Sequence, residues 1–330
     1  MLYLGPRYSS NLKAMKSYCW KEYEPFVKEC FLYDATKLNR FEFSYSKEKE
    51  KAFIGRAAEH RIFTGMNPTV DSDELLFDSD FECGNLDVVM KIAANEYDLF
   101  MRVDSNTRGH NSWFFFKVRN TKAGESITFN ICNFHKTNSL YTNGLRPFFF
   151  SRLTSKEWKQ LSNPVEYARK NLRYEGFEEL RRNLICLSFQ YKFDAAHDEV
   201  YFAYSIPYSY SYLLWTVNGL IDKCATKGIL NVSYNYESSG GLAIPLLTLT
   251  NPDSNNNKSV VLITARQHPG ETQGSWMMHG LLKYLCSDEA ADLRSRVVFK
   301  IMPMVNVDGV VLGNFRTGAL GLDLNRLFRE

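Results

Sequence analysis

Several things are missing from this 330-residue chain, and each absence removes a class of function. No Cys-x-x-Cys pair occurs among the seven scattered cysteines, and an odd count fits poorly with a closed disulfide framework. Free buried thiols in a reducing compartment are the expected state. No Gly-Lys-Ser/Thr phosphate loop is present, so the acidic run Ser287-Asp288-Glu289-Ala290-Ala291-Asp292 reads as a helix end rather than a nucleotide-hydrolysis motif. Nowhere do about 18 apolar residues run together, so no membrane span is expected. The amino terminus, Met1 to Arg7, lacks the apolar core of a secretory leader, which points to a soluble, cytoplasmic protein. Charge of one sign is lacking too. With 40 basic and 37 acidic residues the net charge is +3, and no dense Lys/Arg tract marks a nucleic-acid partner. No fixed-period repeat stands out.

Aromatic residues are plentiful, 24 Phe and 19 Tyr, which favours packed sheets. Residues 1–73 show no sustained period and read as an extension. From 74 to 205 the pattern is a series of short strand-like runs separated by Gly-, Asn- or Asp-bearing turns: Leu86–Ile92, Tyr97–Val103, Ser112–Val118, Ser126–Cys132, Leu184–Phe189 and Glu199–Tyr204. That spacing predicts an antiparallel β-sandwich. A polar stretch from Ser155 to Arg182 reads as helix or loop on its surface.

From residue 206 the period changes. Leu213, Leu214, Val217, Leu220 and Ile221 fall at helical spacing, predicting a helix from Tyr210 to about Lys227. Leu246–Thr250 reads as a strand and Asn251–Asn257 as an exposed turn. Ser259–Ala265 is a β-branched run of the kind a sheet buries on both faces. A helix is expected over Gln273–Leu285 and a strand over Val297–Met302. Strand, loop, helix, strand is an α/β order, in which chemistry gathers at strand carboxyl ends.

One such end carries His268-Pro269-Gly270-Glu271. A neutral imidazole and a carboxylate are two ligand types that zinc takes in hydrolytic sites, if a tight turn brings them together. Pro269 fixes one dihedral and Gly270 permits unusual ones. The competing reading is an ordinary turn that happens to hold His and Glu. A second group follows: Gly313-Asn314-Phe315-Arg316, then Asp323-Leu324-Asn325-Arg326. Guanidinium forks and an amide suit recognition of a carboxylate and of a developing oxyanion. Taken singly, each arginine is as well explained by solvated surface charge. Three such residues close to Asp323, all within about sixty positions of His268, favour a site.

Together these elements closely resemble the cytosolic carboxypeptidase branch of the zinc carboxypeptidases. The match runs through Thr272–Trp276, Asn306–Val310, Gly313–Arg316 and Gly321–Arg326. Upstream it takes in Phe81–Leu86, Trp113–Phe116, Ser139–Tyr141 and Pro207–Tyr210, covering roughly residues 75–330. One departure is Val307, where the family usually has proline. The resemblance implies an α/β carboxypeptidase domain, with a mixed sheet and helices, behind the β-sandwich. It implies one Zn2+ held by His268 and Glu271, with Asp323 orienting His268. It implies Arg316 as the group that polarises the scissile carbonyl, and Asn325 and Arg326 as the pair that holds the substrate's terminal carboxylate. The implied reaction is hydrolysis of the last peptide bond by zinc-activated water with a glutamate as base. The implied substrates are acidic protein tails ending in glutamate, such as polyglutamylated tubulin, in the cytoplasm, cilium or basal body.

In the family the third zinc ligand, a histidine, and the general base lie further along than position 330. None of His60, His110, His135, His197 or His279 has a claim to replace that ligand, and His279 reads as a helix-surface residue. The chain is therefore expected to be a C-terminally truncated form of such an enzyme, with an incomplete catalytic domain. On this reading the strand at Val297–Met304 exposes an apolar edge and face, and the 330 residues alone are poorly soluble or need a partner. The alternative is a non-catalytic short isoform serving as a microtubule- or protein-binding module.

Overall fold

The computed structural model describes residues 74–79, 81–107, 109–155, 157–171, 183–252 and 257–328. The extension at 1–73 lies outside these, as do parts of the Ser155–Arg182 and Asn251–Asn257 segments.

Among the described residues ten strands form two stacked five-stranded sheets. One holds β1 (Leu76–Asp78), β4 (Phe115–Arg119), β10 (Val200–Ala203), β6 (Phe148–Ser151) and β7 (Lys159–Gln160), all antiparallel. The other holds β2 (Val88–Ala93), β3 (Glu96–Phe100), β5 (Ser126–Phe134), β9 (Asn183–Lys192) and β8 (Glu166–Asn171). The sandwich is not purely antiparallel as expected, because β3 and β5 run parallel. Between them the chain crosses to the opposite sheet to make β4, so it returns in its original direction. The polar stretch read as helix or loop contributes two strands, β7 and β8. Strand β8 pairs along β9 from Glu166 to Asn171, and Tyr167 packs on the aromatic core. Its charged residues suit an edge, where they discourage further pairing.

Alternation along β4 and β10 explains why these runs are apolar throughout. Phe114 and Phe116 turn into the sandwich, where Phe116 meets Phe129 and Phe202 at 6.3 and 5.5 Å between ring centres. Phe115 and Tyr201 turn outward, into a second core shared with the α/β half. A two-faced strand buries every side chain.

That half opens with helix α1 (Tyr210–Cys224), capped by Ser209, whose hydroxyl accepts the Tyr212 N–H. Leu213, Leu214, Val217 and Leu220 face the shared core. A four-stranded mixed sheet follows in the order β11 (Leu230–Glu237), β12 (Ala243–Leu249), β14 (Val297–Met302), β13 (Ser259–Thr264). Between β13 and β14 lie α2 (Thr272–Leu285) and α3 (Ala291–Arg296), and α4 (Val307–Leu312) follows β14.

The sheet corrects two expectations. Strand β13 is not buried on both faces. It lies at the edge, with Val260 and Leu262 each 66% exposed. Conversely, β14 sits inside the sheet, pairing with β12 on one side and β13 on the other, with Phe299 and Ile301 buried. The open apolar edge therefore belongs to β13. Both segments are equally apolar, and periodicity cannot rank strands across a sheet. The five described cysteines (Cys83, Cys132, Cys186, Cys224, Cys286) are all buried thiols.

Candidate active site

Strands β13 and β14 run parallel and end together. Just past those ends the backbone stays zipped, with the N–H of Val305 and of Asn306 donating to the carbonyls of Ala265 and Arg266. Arg266 takes a left-handed conformation, φ 59°, which turns the chain off the strand. Its buried guanidinium then donates to Pro269 O at 2.8 Å, Ser275 Oγ at 2.8 Å and Tyr208 O at 3.1 Å. Burial lowers its pKa to about 10. Arg266 thus staples the His268–Glu271 turn from inside. The only hint of this in the sequence is a lone arginine after an apolar run.

The turn is packed as closely as glycine allows. A β-carbon on Gly270 would stand 2.5 Å from the Phe315 ring and 2.9 Å from the Phe315 carbonyl, to which the Gly270 N–H donates. The first motif is built directly against the second.

His268 and Glu271 converge, with Nδ1 of the ring 3.0 Å from Glu271 Oε1. On its other side Nε2 lies 3.0 Å from Asp323 Oδ1. Asp323 Oδ2 also accepts Nε–H and Nη2–H of Arg316, each at 2.7 Å. Burial would raise the Asp323 carboxyl, but its bonds from His268, the Asn325 N–H and Arg316 outweigh that and hold it below the usual carboxylate range. An ionised Asp323 accepts the Nε2 proton and so turns the Nδ1 lone pair towards Glu271. A ring nitrogen and a carboxylate oxygen 3.0 Å apart can share a proton or turn both lone pairs onto a cation. An ion roughly 2 Å from each is what zinc's N/O chemistry requires, so the pair fits two ligands of such a site. Among the described residues no group of three His, Cys, Asp or Glu could hold a metal.

The structure thus brings together His268, Glu271, Asp323 and Arg316. Asn325 and Arg326 lie beside them, exposed, in a single 3-10 turn (Leu324–Arg326) capped by Asp323. The Arg326 side chain donates to the Asn325 carbonyl at 2.9 Å. His279 departs from its surface assignment: it is buried beneath α2 against Tyr208, Tyr212 and Trp276, and burial lowers its pKa to about 4.

Two further residues, both from the sandwich, reach this half of the molecule. Glu82 is fully buried and its Oε1 accepts the Ser211 N–H at the start of α1, while burial pushes its carboxyl up to about 7. Asp104, also buried, accepts the N–H groups of Phe315, Arg316 and Thr317 at 2.6, 2.6 and 2.8 Å. Burial raises its carboxyl, against the lowering by these donors.

Comparison with known proteins matches both halves of the chain to one enzyme family. A family described as "Cytosolic carboxypeptidase N-terminal domain" matches residues 77–205, and "Zinc carboxypeptidase" matches 226–330. Cytosolic carboxypeptidase 2 of Xenopus tropicalis is 38% identical over 287 residues, 84% of this chain and 29% of that protein. The chain belongs to the cytosolic carboxypeptidase branch of the zinc carboxypeptidases. Another member, human cytosolic carboxypeptidase 6, is also 38% identical, over 84% of this chain and 54% of its own length. The chain therefore spans between about a third and a half of these curated relatives. Among solved structures, the metallo-carboxypeptidase of Burkholderia cenocepacia superposes with a TM-score of 0.61 at 26% identity, covering 78% of this chain and 62% of that one. The enzyme from Pseudomonas aeruginosa, solved with (2-guanidinoethylmercapto)succinic acid, gives 0.60 at 26%, covering 77% and 61%.

Proposed function

We propose that the protein acts as a zinc-dependent metallocarboxypeptidase on acidic protein tails, removing C-terminal glutamate, with polyglutamylated tubulin among its substrates. The observation that carries this reading is the shared grip of Asp323 on His268 and Arg316, which sets a divalent-cation ligand pair beside a guanidinium. His268 Nδ1 and Glu271 would hold the zinc. Bound there, zinc supplies Lewis-acid activation of water and of the scissile carbonyl.

Four further side chains of this chain would serve the metal and the substrate. Asp323 fixes the His268 tautomer and strengthens the ring as a donor. Arg316 is positioned to take the negative charge that develops on the carbonyl oxygen, a task for a preorganised cation. Exposed Asn325 and Arg326 would receive the substrate's terminal carboxylate, where a fork and an amide give two-point recognition. The succinic-acid derivative bound to the Pseudomonas relative carries carboxylates of the kind such a site takes. The cytoplasm, cilium and basal body, where such tails are exposed, are the proposed setting.

The test is mass spectrometry of glutamate-ended peptides incubated with the zinc-loaded full-length protein. Stepwise loss of terminal glutamate is expected, and none from a peptide whose C-terminus is amidated. Intact peptide in both arms, with zinc bound, would overturn the peptidase reading in favour of a protein-binding module.

A further inference from the structure

The loop that carries Arg316 is held by the other domain. Asp104 sits just beyond β3, more than 200 positions away in sequence, and is 1% exposed. Its Oδ1 accepts the Phe315 N–H, and its Oδ2 accepts the Arg316 and Thr317 N–H groups together with the Thr317 hydroxyl at 3.2 Å. Three successive peptide N–H groups converging on one carboxylate define the backbone path through residues 315–317. They therefore define the direction in which the Arg316 side chain leaves it. A charged acceptor with several donors forms the stronger kind of hydrogen bond. Residues flanking Asp104 reinforce the seam: Ser105 donates to Asn314 Oδ1, and Asn106 to the Ala319 carbonyl at 2.8 Å. Within the α/β half the same loop is held by single bonds, from the Gly270 N–H to the Phe315 carbonyl at 2.8 Å and from Asn314 Nδ2 to the Thr317 carbonyl at 3.0 Å, while the Arg316 side chain is held at its far end by Asp323.

We propose that Asp104 is a positioning residue: the β-sandwich shapes the 315–317 loop through this carboxylate so that the Arg316 guanidinium lies on Asp323. The sandwich is then part of the active site's construction rather than an appendage. This assignment rests on the carboxypeptidase reading for what Arg316 does, but the clamp itself can be measured separately.

Asp104→Asn keeps the side chain's shape and leaves one acceptor oxygen in place of two. Asp104→Ala removes both. Hydrogen exchange in the full-length protein should show the Phe315, Arg316 and Thr317 amides and the Arg316 Nε–H opening on the order of tenfold faster in Asp104→Asn, and more in Asp104→Ala. The Cys83 amide, which donates across the same seam to the Val311 carbonyl, should keep its protection. With a glutamate-ended peptide, kcat should fall roughly 100-fold with little change in KM, as a misplaced group produces. The loss should not add to that of Arg316→Ala. Unchanged exchange at 315–317, or equal loss at Cys83, would overturn the clamp. Absence of turnover in the unsubstituted protein would instead overturn the peptidase reading, with the exchange rates still deciding the role of Asp104.

Discussion

Asp323 Oδ1 meets His268 Nε2 at 3.0 Å, on the side of the imidazole opposite Glu271. On the proposed reading, this one carboxylate decides which ring nitrogen would face a metal. Replacing it by alanine leaves the ligands present but the tautomer and ring angle unset. Asp323→Ala is expected to weaken zinc binding by roughly 10- to 100-fold, read by competition with a chelator of known affinity. Unaltered affinity would show that His268 is oriented by other contacts.

Gly270 offers a purely steric test. Any side chain there meets the ring and carbonyl of Phe315 within 2.9 Å. Gly270→Ala must therefore push the His268–Glu271 turn away from the arginine loop, at a cost of about 1–3 kcal/mol of stability. Thermal unfolding measures the loss, and reduced zinc occupancy should accompany it. A variant as stable as the parent would mean that the two loops separate freely.

Much of this was readable in the chain. His268, Glu271, Arg316 and Asp323 announce themselves by residue type and closeness in sequence, and the structure gathers them within hydrogen-bonding reach. Strand β14 falls on its expected residues because its apolar run begins directly after the polar Arg294-Ser295-Arg296 and ends at Pro303. What escaped was relational. Asp104 and Arg266 are single charged residues in unremarkable surroundings, and their partners become visible only when distant segments meet. The outward position of β13 escaped for the same reason, since an edge is defined by the neighbours a strand does not have.

His279 predicts a pH dependence. Burial lowers its pKa from 6.5 to about 4, and the Tyr208 and Thr216 hydroxyls lie 3.3 and 3.5 Å from Nδ1 of the ring. Folding therefore favours the neutral ring. Its stabilising contribution is complete above the unfolded pKa near 6.5 and is lost as pH falls from there through about 4. The difference amounts to no more than about 3 kcal/mol. His279→Gln should flatten this part of the stability profile, measured by urea unfolding at about pH 7 and about pH 4. An equal acid-induced loss in both proteins would assign the effect to other groups.

The edge of the mixed sheet makes the last prediction. Along β13, Val260 and Leu262 are 66% exposed on one face and Val261 is 39% exposed on the other. Among the described residues no strand pairs with its outer side. Unpaired N–H and C=O groups flanked by apolar side chains are a template for a further strand. Stripped of any partner, residues 1–330 should therefore self-associate as concentration rises. Leu262→Lys should suppress this, because a charged side chain on an edge strand penalises pairing without disturbing the buried Phe299 and Ile301 next door. Sedimentation velocity over a concentration series decides the matter. A monomer at every concentration would mean that the exposed apolar run is tolerated as it stands.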